Sequence, residues 1–184
     1  VIGAGGFTGR YFWNYARDNN LTDRYSFIGM DRNFSVGFPG MKMIKINLLD
    51  YSRLDGLISS LQPSYIMNFA GVFGIPDYNE MVEINSCLPR QLFEIIIKNR
   101  LNVKKMLLMG SAAEYGLPGK LPVRVSNALR PVSRYGFSKA VQSQTFSFYF
   151  KNYGVKANLV RPFNLIGKNI SSALSVGHFM SQIR

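Results

Sequence analysis

The chain has 184 residues, enough for one domain with a sizeable core, and its 47% apolar and 17% charged content is ordinary for a globular protein. The net charge is +12, yet the basic residues are scattered and their longest clusters are Lys104-Lys105 and the near-pair Lys42/Lys45. This disfavours a nucleic-acid partner and leaves diphosphate ligands or a plain solvated face. No run reaches the ~18 consecutive apolar residues of a membrane span, so no membrane partner is expected. The single Cys87 excludes an internal disulfide and fits a reducing, cytoplasmic setting. With the single His178 it also argues against a metal site built on those ligands.

Val1-Ile2 reads as the tail of a buried strand that runs into Gly3-Ala4-Gly5-Gly6-Phe7-Thr8-Gly9. Apolar residues at Phe7, Tyr11, Phe12 and Tyr15 follow at helical spacing. Gly3, Gly6 and Gly9 stand at Gly-x-x-Gly-x-x-Gly spacing, whereas a Gly-x-Gly-x-x-Gly reading from Gly3 and Gly5 ends on Thr8. Strand, glycine turn and helix start are the context of a loop that cradles a diphosphate, with the helix N-terminus facing its charge. Phe7 and Thr8 belong to that loop.

Tyr25 to Asp31 is the second expected strand. Asp31 lies 22 residues beyond Gly9, where a carboxylate accepts hydrogen bonds from an adenosine ribose. Arg32 follows and could instead meet a 2′-phosphate; the pair favours NAD(H) over NADP(H). Met43 to Ile46 is a third strand, and Asn47-Leu48 after it are candidates for the adenine edge. Tyr51 to Leu61 is helical and stops before Pro63. Tyr65 to Gly71 is a fourth strand, whose small closing residues in Phe69-Ala70-Gly71 leave room for a flat cofactor.

Glu80 to Lys98 reads as a long amphipathic helix that carries Asn85 and is interrupted by Pro89. Lys104 to Met109 is a fifth strand leading to Ser111. Residues 117 to 132, with Pro118, Pro122 and Pro131, read as a loop. Ser133 caps a helix running to about Tyr153. Lys156 to Val160 is a sixth strand, feeding Arg161-Pro162-Phe163-Asn164. Six strands alternating with helices predict an α/β fold with a parallel sheet.

The helix after Ser133 holds Tyr135 and Lys139, four residues apart and so on one face. An ammonium beside a phenol would lower a pKa that is about 10 in water and give a base for moving protons of an alcohol. With ten tyrosines and ten lysines in the chain, roughly half a Tyr-x-x-x-Lys match is expected by chance. The spacing needs its context.

That context is the ordered set Gly3-x-x-Gly6-x-x-Gly9, Asp31, Asn68-Phe69-Ala70-Gly71, Asn85, Ser111-x-x-x-Tyr115-Gly116, Tyr135-x-x-x-Lys139 and Arg161-Pro162-Phe163-Asn164. In these elements the chain resembles the extended short-chain dehydrogenase/reductase family, the nucleotide-sugar epimerases, dehydratases and ketoreductases. The resemblance implies a doubly wound NAD(P)-binding Rossmann domain over 1–164 and the start of a small substrate domain over 165–184. It implies Ser111 holding the sugar oxygen, Tyr135 as acid/base, Lys139 on the nicotinamide ribose, and Asn85 in an indirect, proton-relay role. Pro162 falls in the implied cofactor set, and Asn164 matches a position that contacts the nucleotide-sugar phosphates. The implied partners are a nucleotide-diphosphate sugar and a second copy of the chain, paired through the helices matching Glu80–Lys98 and Ser133–Tyr153.

Departures narrow the chemistry. The family's 4,6-dehydratases carry an Asp-Glu pair after the Ser111 position; here Ala112-Ala113 cannot transfer a proton, so elimination is disfavoured. Leu88-Pro89 replace the Gly-Thr that usually follows the helix asparagine, and Asn47 replaces an acid. The segment from Arg161 to Ile183 looks most like the GDP-4-keto-6-deoxymannose reductase branch. The reading is an NAD(P)-dependent epimerase or 4-ketoreductase acting at sugar C4. The alternative is a non-catalytic NAD(P)-binding module, such as a redox sensor or an RNA-associated relative. Val1 sits inside a strand and Arg184 inside an amphipathic segment, so a piece of a longer protein is expected.

Overall fold

A computed structural model describes residues 1–34, 38–74, 77–172 and 174–183. Among these are five strands: β1 (Ile28–Asp31), β2 (Lys42–Lys45), β3 (Tyr65–Asn68), β4 (Lys105–Met109) and β5 (Ala157–Val160), with helices before β1 and between β2, β3, β4 and β5. β1 pairs with β2, β3 with β4 and β4 with β5, all in parallel. Ile2 joins the two halves. It bridges Met30 and Asn68, its N–H donating to the Met67 carbonyl at 2.8 Å and its carbonyl accepting from Phe69 N–H at 2.9 Å.

The order across the sheet is therefore β2, β1, Ile2, β3, β4, β5. The connections reverse direction between Ile2 and β3, and ligands of open α/β sheets bind outside the strand ends at such a reversal. The expected doubly wound parallel sheet is present. The expected strand tail at Val1-Ile2 is present as the Ile2 bridge, and the second strand starts at Ile28. A cavity of about 710 Å³ lies beside Val1 and Ile2, lined among others by Tyr25, Phe27, Tyr65 and Ile66.

Helices α2 (Tyr51–Leu61), α4 (Leu88–Lys98) and α5 (Arg134–Tyr153) cover one face of the sheet. Leu88, Leu92, Phe93 and Ile96 recur on one side of α4 and pack with Leu54, Ile58 and Tyr149 on Ile2, Ile66, Met106 and Leu108. Helix α1 (Phe7–Asp18) lies on the other face, where Trp13 and Ala16 meet Ala4, Phe38 and Met41. A last helix, α6, spans Ser175–Gln182. Among the described residues, no helix is long and apolar enough to cross a membrane.

Pro89 does not interrupt its helix. Helix α3 (Tyr78–Val82) passes into a π-turn over Glu83–Cys87 and then into α4 without a break. Proline lacks an N–H and its ring clashes with the carbonyl four residues back, which here belongs to Asn85. The wider turn, in which Leu88 N–H reaches the Glu83 carbonyl, accommodates both.

Ser133 caps α5 through its hydroxyl, which accepts from Gly136 N–H at 3.0 Å, and Gly154 ends the helix at φ +64°. The C-terminal half of α5 is anchored by Tyr149, stacked on Phe93 at 4.8 Å between ring centroids and bonded to Glu94. Phe93 is fully buried. Phe93→Ala is expected to lower unfolding stability by about 4 kcal/mol, read from urea denaturation; a loss under about 1 kcal/mol would show that this contact does not anchor α5.

Candidate active site

The ends of β1, β3 and β4 and the starts of α1 and α5 converge on one region. Gly3 leaves the sheet at φ +74°, and a Cβ there would lie 2.4 Å from the Ala70 nitrogen, so the first turn and the end of β3 touch backbone to backbone. The N-terminus of α1 has no side-chain cap and no acidic residue in its first turn. Gly6 is exposed, and the nearest atom to a Cβ built there is 3.4 Å away. Phe7 and Thr8 are half-buried beside it. An uncapped helix start behind an open glycine is a fit for a diphosphate.

Asp31 stands at the end of β1, one carboxylate oxygen accepting from Gly5 N–H at 2.9 Å and the other from Arg32 N–H at 2.7 Å. It thereby ties the glycine loop to the strand and sits where the sequence placed it. Arg32 turns to Glu80, in a 2.9 Å ion pair at the surface. Asn47 is exposed, its side chain accepting from Leu49 N–H at 3.2 Å. The Leu48 side chain is in the core, which leaves its backbone to meet a ligand. Alternation explains this, since Ile46 and Leu48 both face inward.

At the end of β3, Phe69 packs on Phe12 of α1 and Ala70 is buried. Gly71 is exposed, and a Cβ on it would lie 3.1 Å from Lys139 Nζ and 3.3 Å from Asn85 Oδ1. Asn85 is fully buried in the π-turn. Its Oδ1 accepts from Val72 N–H at 3.0 Å, and its amide donates to the Val72 carbonyl at 2.9 Å and to Ser138 Oγ at 3.0 Å. It is a brace between the segment after β3 and α5.

Ser111 begins a 3₁₀ turn, Ala112–Tyr115, directly after β4. Its hydroxyl accepts from Ala113 N–H at 3.2 Å. Helix α5 comes so close to this turn that a Cβ at Gly136 would lie 2.5 Å from the Ala113 carbonyl oxygen. Glycine at 136 is what allows the neighbouring Tyr135 to reach Ser111. The Tyr135 ring packs edge-on against Phe73 at 5.0 Å. Pro162 accepts Ala112 N–H at 2.9 Å through its carbonyl, while Asn164 is exposed beyond it.

The electrostatics differ from the expected phenol–ammonium pairing. Burial pushes the Tyr135 phenol above its ordinary value, a hydrogen bond with Ser111 pulls it down, and the negative charge of Glu114 adds to the rise. Lys139 does not lower it. The buried ammonium donates instead to the Met109 carbonyl at 3.0 Å and Gln142 Oε1 at 3.2 Å. Burial brings its pKa down to about 8, against a smaller upward pull from Glu114. Spacing put the two residues on one helical face; it could not show that the Met109 carbonyl and Gln142 take up the ammonium.

The sequence reading also left out a polar cluster beneath Ser111. Glu114 and Arg161 were read only as members of motifs, and 47 residues of separation hid their pairing. Glu114 is fully buried, with Arg161 Nε donating to it at 2.6 Å and the Ser143 hydroxyl donating as well.

The chain matches the NAD dependent epimerase/dehydratase family over residues 1–184, and it belongs to that family. A UDP-glucose 4-epimerase of Lactobacillus helveticus is 32% identical over 80 residues, 44% of this chain and 24% of that protein. The fold is similar to that of the UDP-glucuronic acid 4-epimerase of Bacillus cereus in complex with NAD (TM-score 0.85, 20% identity, 100% of this chain and 62% of that one). It is also similar to the dTDP-glucose 4,6-dehydratase of Bacillus anthracis str. Ames in complex with NAD (TM-score 0.84, 21% identity, 99% and 59%). The chain thus spans about a quarter of that curated relative and about three-fifths of these two structural neighbours.

Lys139 offers a test of the site's electrostatics. Its folded pKa of about 8 lies below the ordinary 10.5, so between these values the unfolded chain binds more protons and stability rises with pH. Urea denaturation at pH 7.5 and 9.5 should show Lys139→Met lacking a rise on the order of 2 kcal/mol that the parent shows. Equal pH dependence in the two proteins would contradict the burial of a strained ammonium.

Proposed function

We propose that this chain is the cofactor-binding and catalytic part of an NAD(P)-dependent nucleotide-sugar epimerase or 4-ketoreductase that acts at sugar C4. The observation that supports it most is the close approach of α5 at Gly136 to the turn that Ser111 opens after β4, which sets Tyr135 beside that turn and the buried Lys139 one helical turn on. Bound NAD(H) would supply the acceptor and donor of hydride. The amides of Phe7 and Thr8 would hold its diphosphate, Asp31 its adenosine ribose and Lys139 its nicotinamide ribose. Asp31 brings negative charge to the end of β1 and Arg32 is engaged by Glu80, which together favour NAD(H) over NADP(H).

Within this reading Ser111 holds the sugar oxygen at C4 and Tyr135 takes its proton on oxidation and returns it on reduction. A phenol raised by burial suits the proton-donating direction. The base form needs a nearby positive charge, which an oxidised nicotinamide would provide. Asn85 keeps the end of β3 and α5 in register. Asn164 and residues 165–184 would begin the substrate side.

Elimination chemistry has no carrier in the turn after β4: Ala112 and Ala113 have no ionisable side chain, and the Glu114 carboxylate is buried against Arg161 and Ser143. That favours epimerase or reductase over dehydratase. Gel filtration distinguishes the remaining two, since retained nicotinamide supports an epimerase and consumption of added NADPH with a 4-keto sugar supports a reductase. In the full-length protein, with UDP-glucose as probe substrate, Tyr135→Phe is expected to cut turnover about 10²–10⁴-fold while cofactor stays bound. Near-normal turnover would overturn the acid/base role.

The cytoplasm suits a sugar-nucleotide enzyme with one thiol. The α4–α5 face suits a homodimer: Phe148, Phe150 and Tyr153 are exposed near the end of α5, more aromatic surface than a solvated helix needs. Light scattering of the full-length protein should give twice the monomer mass, and Phe150→Glu should return it to one; a monomeric parent would refute the pairing.

A further inference from the structure

Three donors from three elements converge on the Glu114 carboxylate. Ser111 N–H, at the end of β4, donates to Oε1 at 2.7 Å. Arg161 Nε, just after β5, donates to Oε2 at 2.6 Å, and the Ser143 hydroxyl, on α5, donates to the same oxygen. The guanidinium is itself fixed, with Nη2 on Ser143 Oγ at 3.0 Å and Nη1 on Tyr115 oxygen at 3.3 Å. The carboxylate is fully buried. Buried ion pairs give little net stability over apolar substitutes, so stability alone is a weak reason for this one. Its place gives a better reason. It lies beneath the residue whose hydroxyl meets Tyr135, in a turn whose intervening side chains are Ala112 and Ala113.

We infer that Glu114, clamped by Arg161 and Ser143, is a positioning residue that fixes the Ser111 backbone and so the hydroxyl facing Tyr135. The inference rests on the acid/base reading above. The clamp ties the β4 turn, α5 and the end of β5 to a single carboxylate, so the Ser111–Tyr135 approach is set by three elements at once. It also places a negative charge within reach of both reacting-side groups. The Tyr135 phenol is faced by Ser111 from the β4 turn, by the Phe73 ring from the segment after β3, and by the field of Glu114. Lys139, on its own helix, is held by Met109 and Gln142, and feels Glu114 as well. Glu114 therefore favours the protonated form of both side chains.

The test uses the full-length protein with UDP-glucose as the probe sugar and ring-¹³C tyrosine NMR, the Tyr135 signal being assigned by Tyr135→Phe. Glu114→Gln is expected to lower kcat at least about tenfold while KM and NAD⁺ affinity stay within about twofold. Its Tyr135 midpoint is expected to move to lower pH. Arg161→Lys keeps the charge and loses the fork; it should lower kcat less and leave the midpoint in place. A parental kcat or an unmoved midpoint in Glu114→Gln overturns the inference. Should that variant fail to fold, a parental kcat in Arg161→Lys overturns it and a reduced one supports it. Parental turnover in Tyr135→Phe would instead sink the acid/base reading, and the titration would still report whether Glu114 acts on its neighbours.

Discussion

The contact on which this site depends is the approach of α5 to the end of β4. Gly136 lies against the Ala113 carbonyl so closely that no side chain fits between them. One residue earlier Tyr135 reaches Ser111, and one turn later Lys139 reaches the Met109 carbonyl. The same helix is held from behind by Tyr149 on Phe93 and from the side by Asn85 and Ser86, which bond Ser138. Apolar packing fixes where the helix lies, and short polar contacts fix its rotation and depth.

Burying an ammonium and a carboxylate near one another in this way is costly unless each is fully bonded. Lys139 donates to a carbonyl and an amide oxygen, two of the three bonds its ammonium can make, and Glu114 accepts from a guanidinium, a hydroxyl and a backbone N–H. Neither cluster is in the loops that vary most easily. Both sit on strand ends and helices, which hold a constellation more tightly than loops do. The π-turn at Asn85 belongs to the same design: a local departure from α-helix turns a polar side chain inward to bond both backbone groups of Val72.

Much of this was legible in the sequence, because it depends on local chemistry. Glycine spacing, the acid closing β1, the Ser133 cap and the Tyr135/Lys139 interval each report on a few neighbouring residues. So do the apolar periods that set the sheet and helix order. What was hidden depends on contacts between distant residues. Glu114 meets Arg161 across 47 positions, and Lys139 meets Met109 across 30. The same holds for the direction of the Tyr135 shift: it is set by how much of the phenol is buried, which no interval of four residues discloses. Pro89 misled because proline is read as a helix break, and the wider turn that absorbs it has no simple sequence sign.

The most direct test of the central claim is a crystal structure of the full-length protein grown with NAD⁺. The account predicts diphosphate density over Gly6 and Phe7 and the nicotinamide ribose within hydrogen-bonding reach of Lys139, with Ser111 and Tyr135 facing one open position beside the ring. Dinucleotide density elsewhere on the sheet, or a nicotinamide remote from Tyr135, would contradict it.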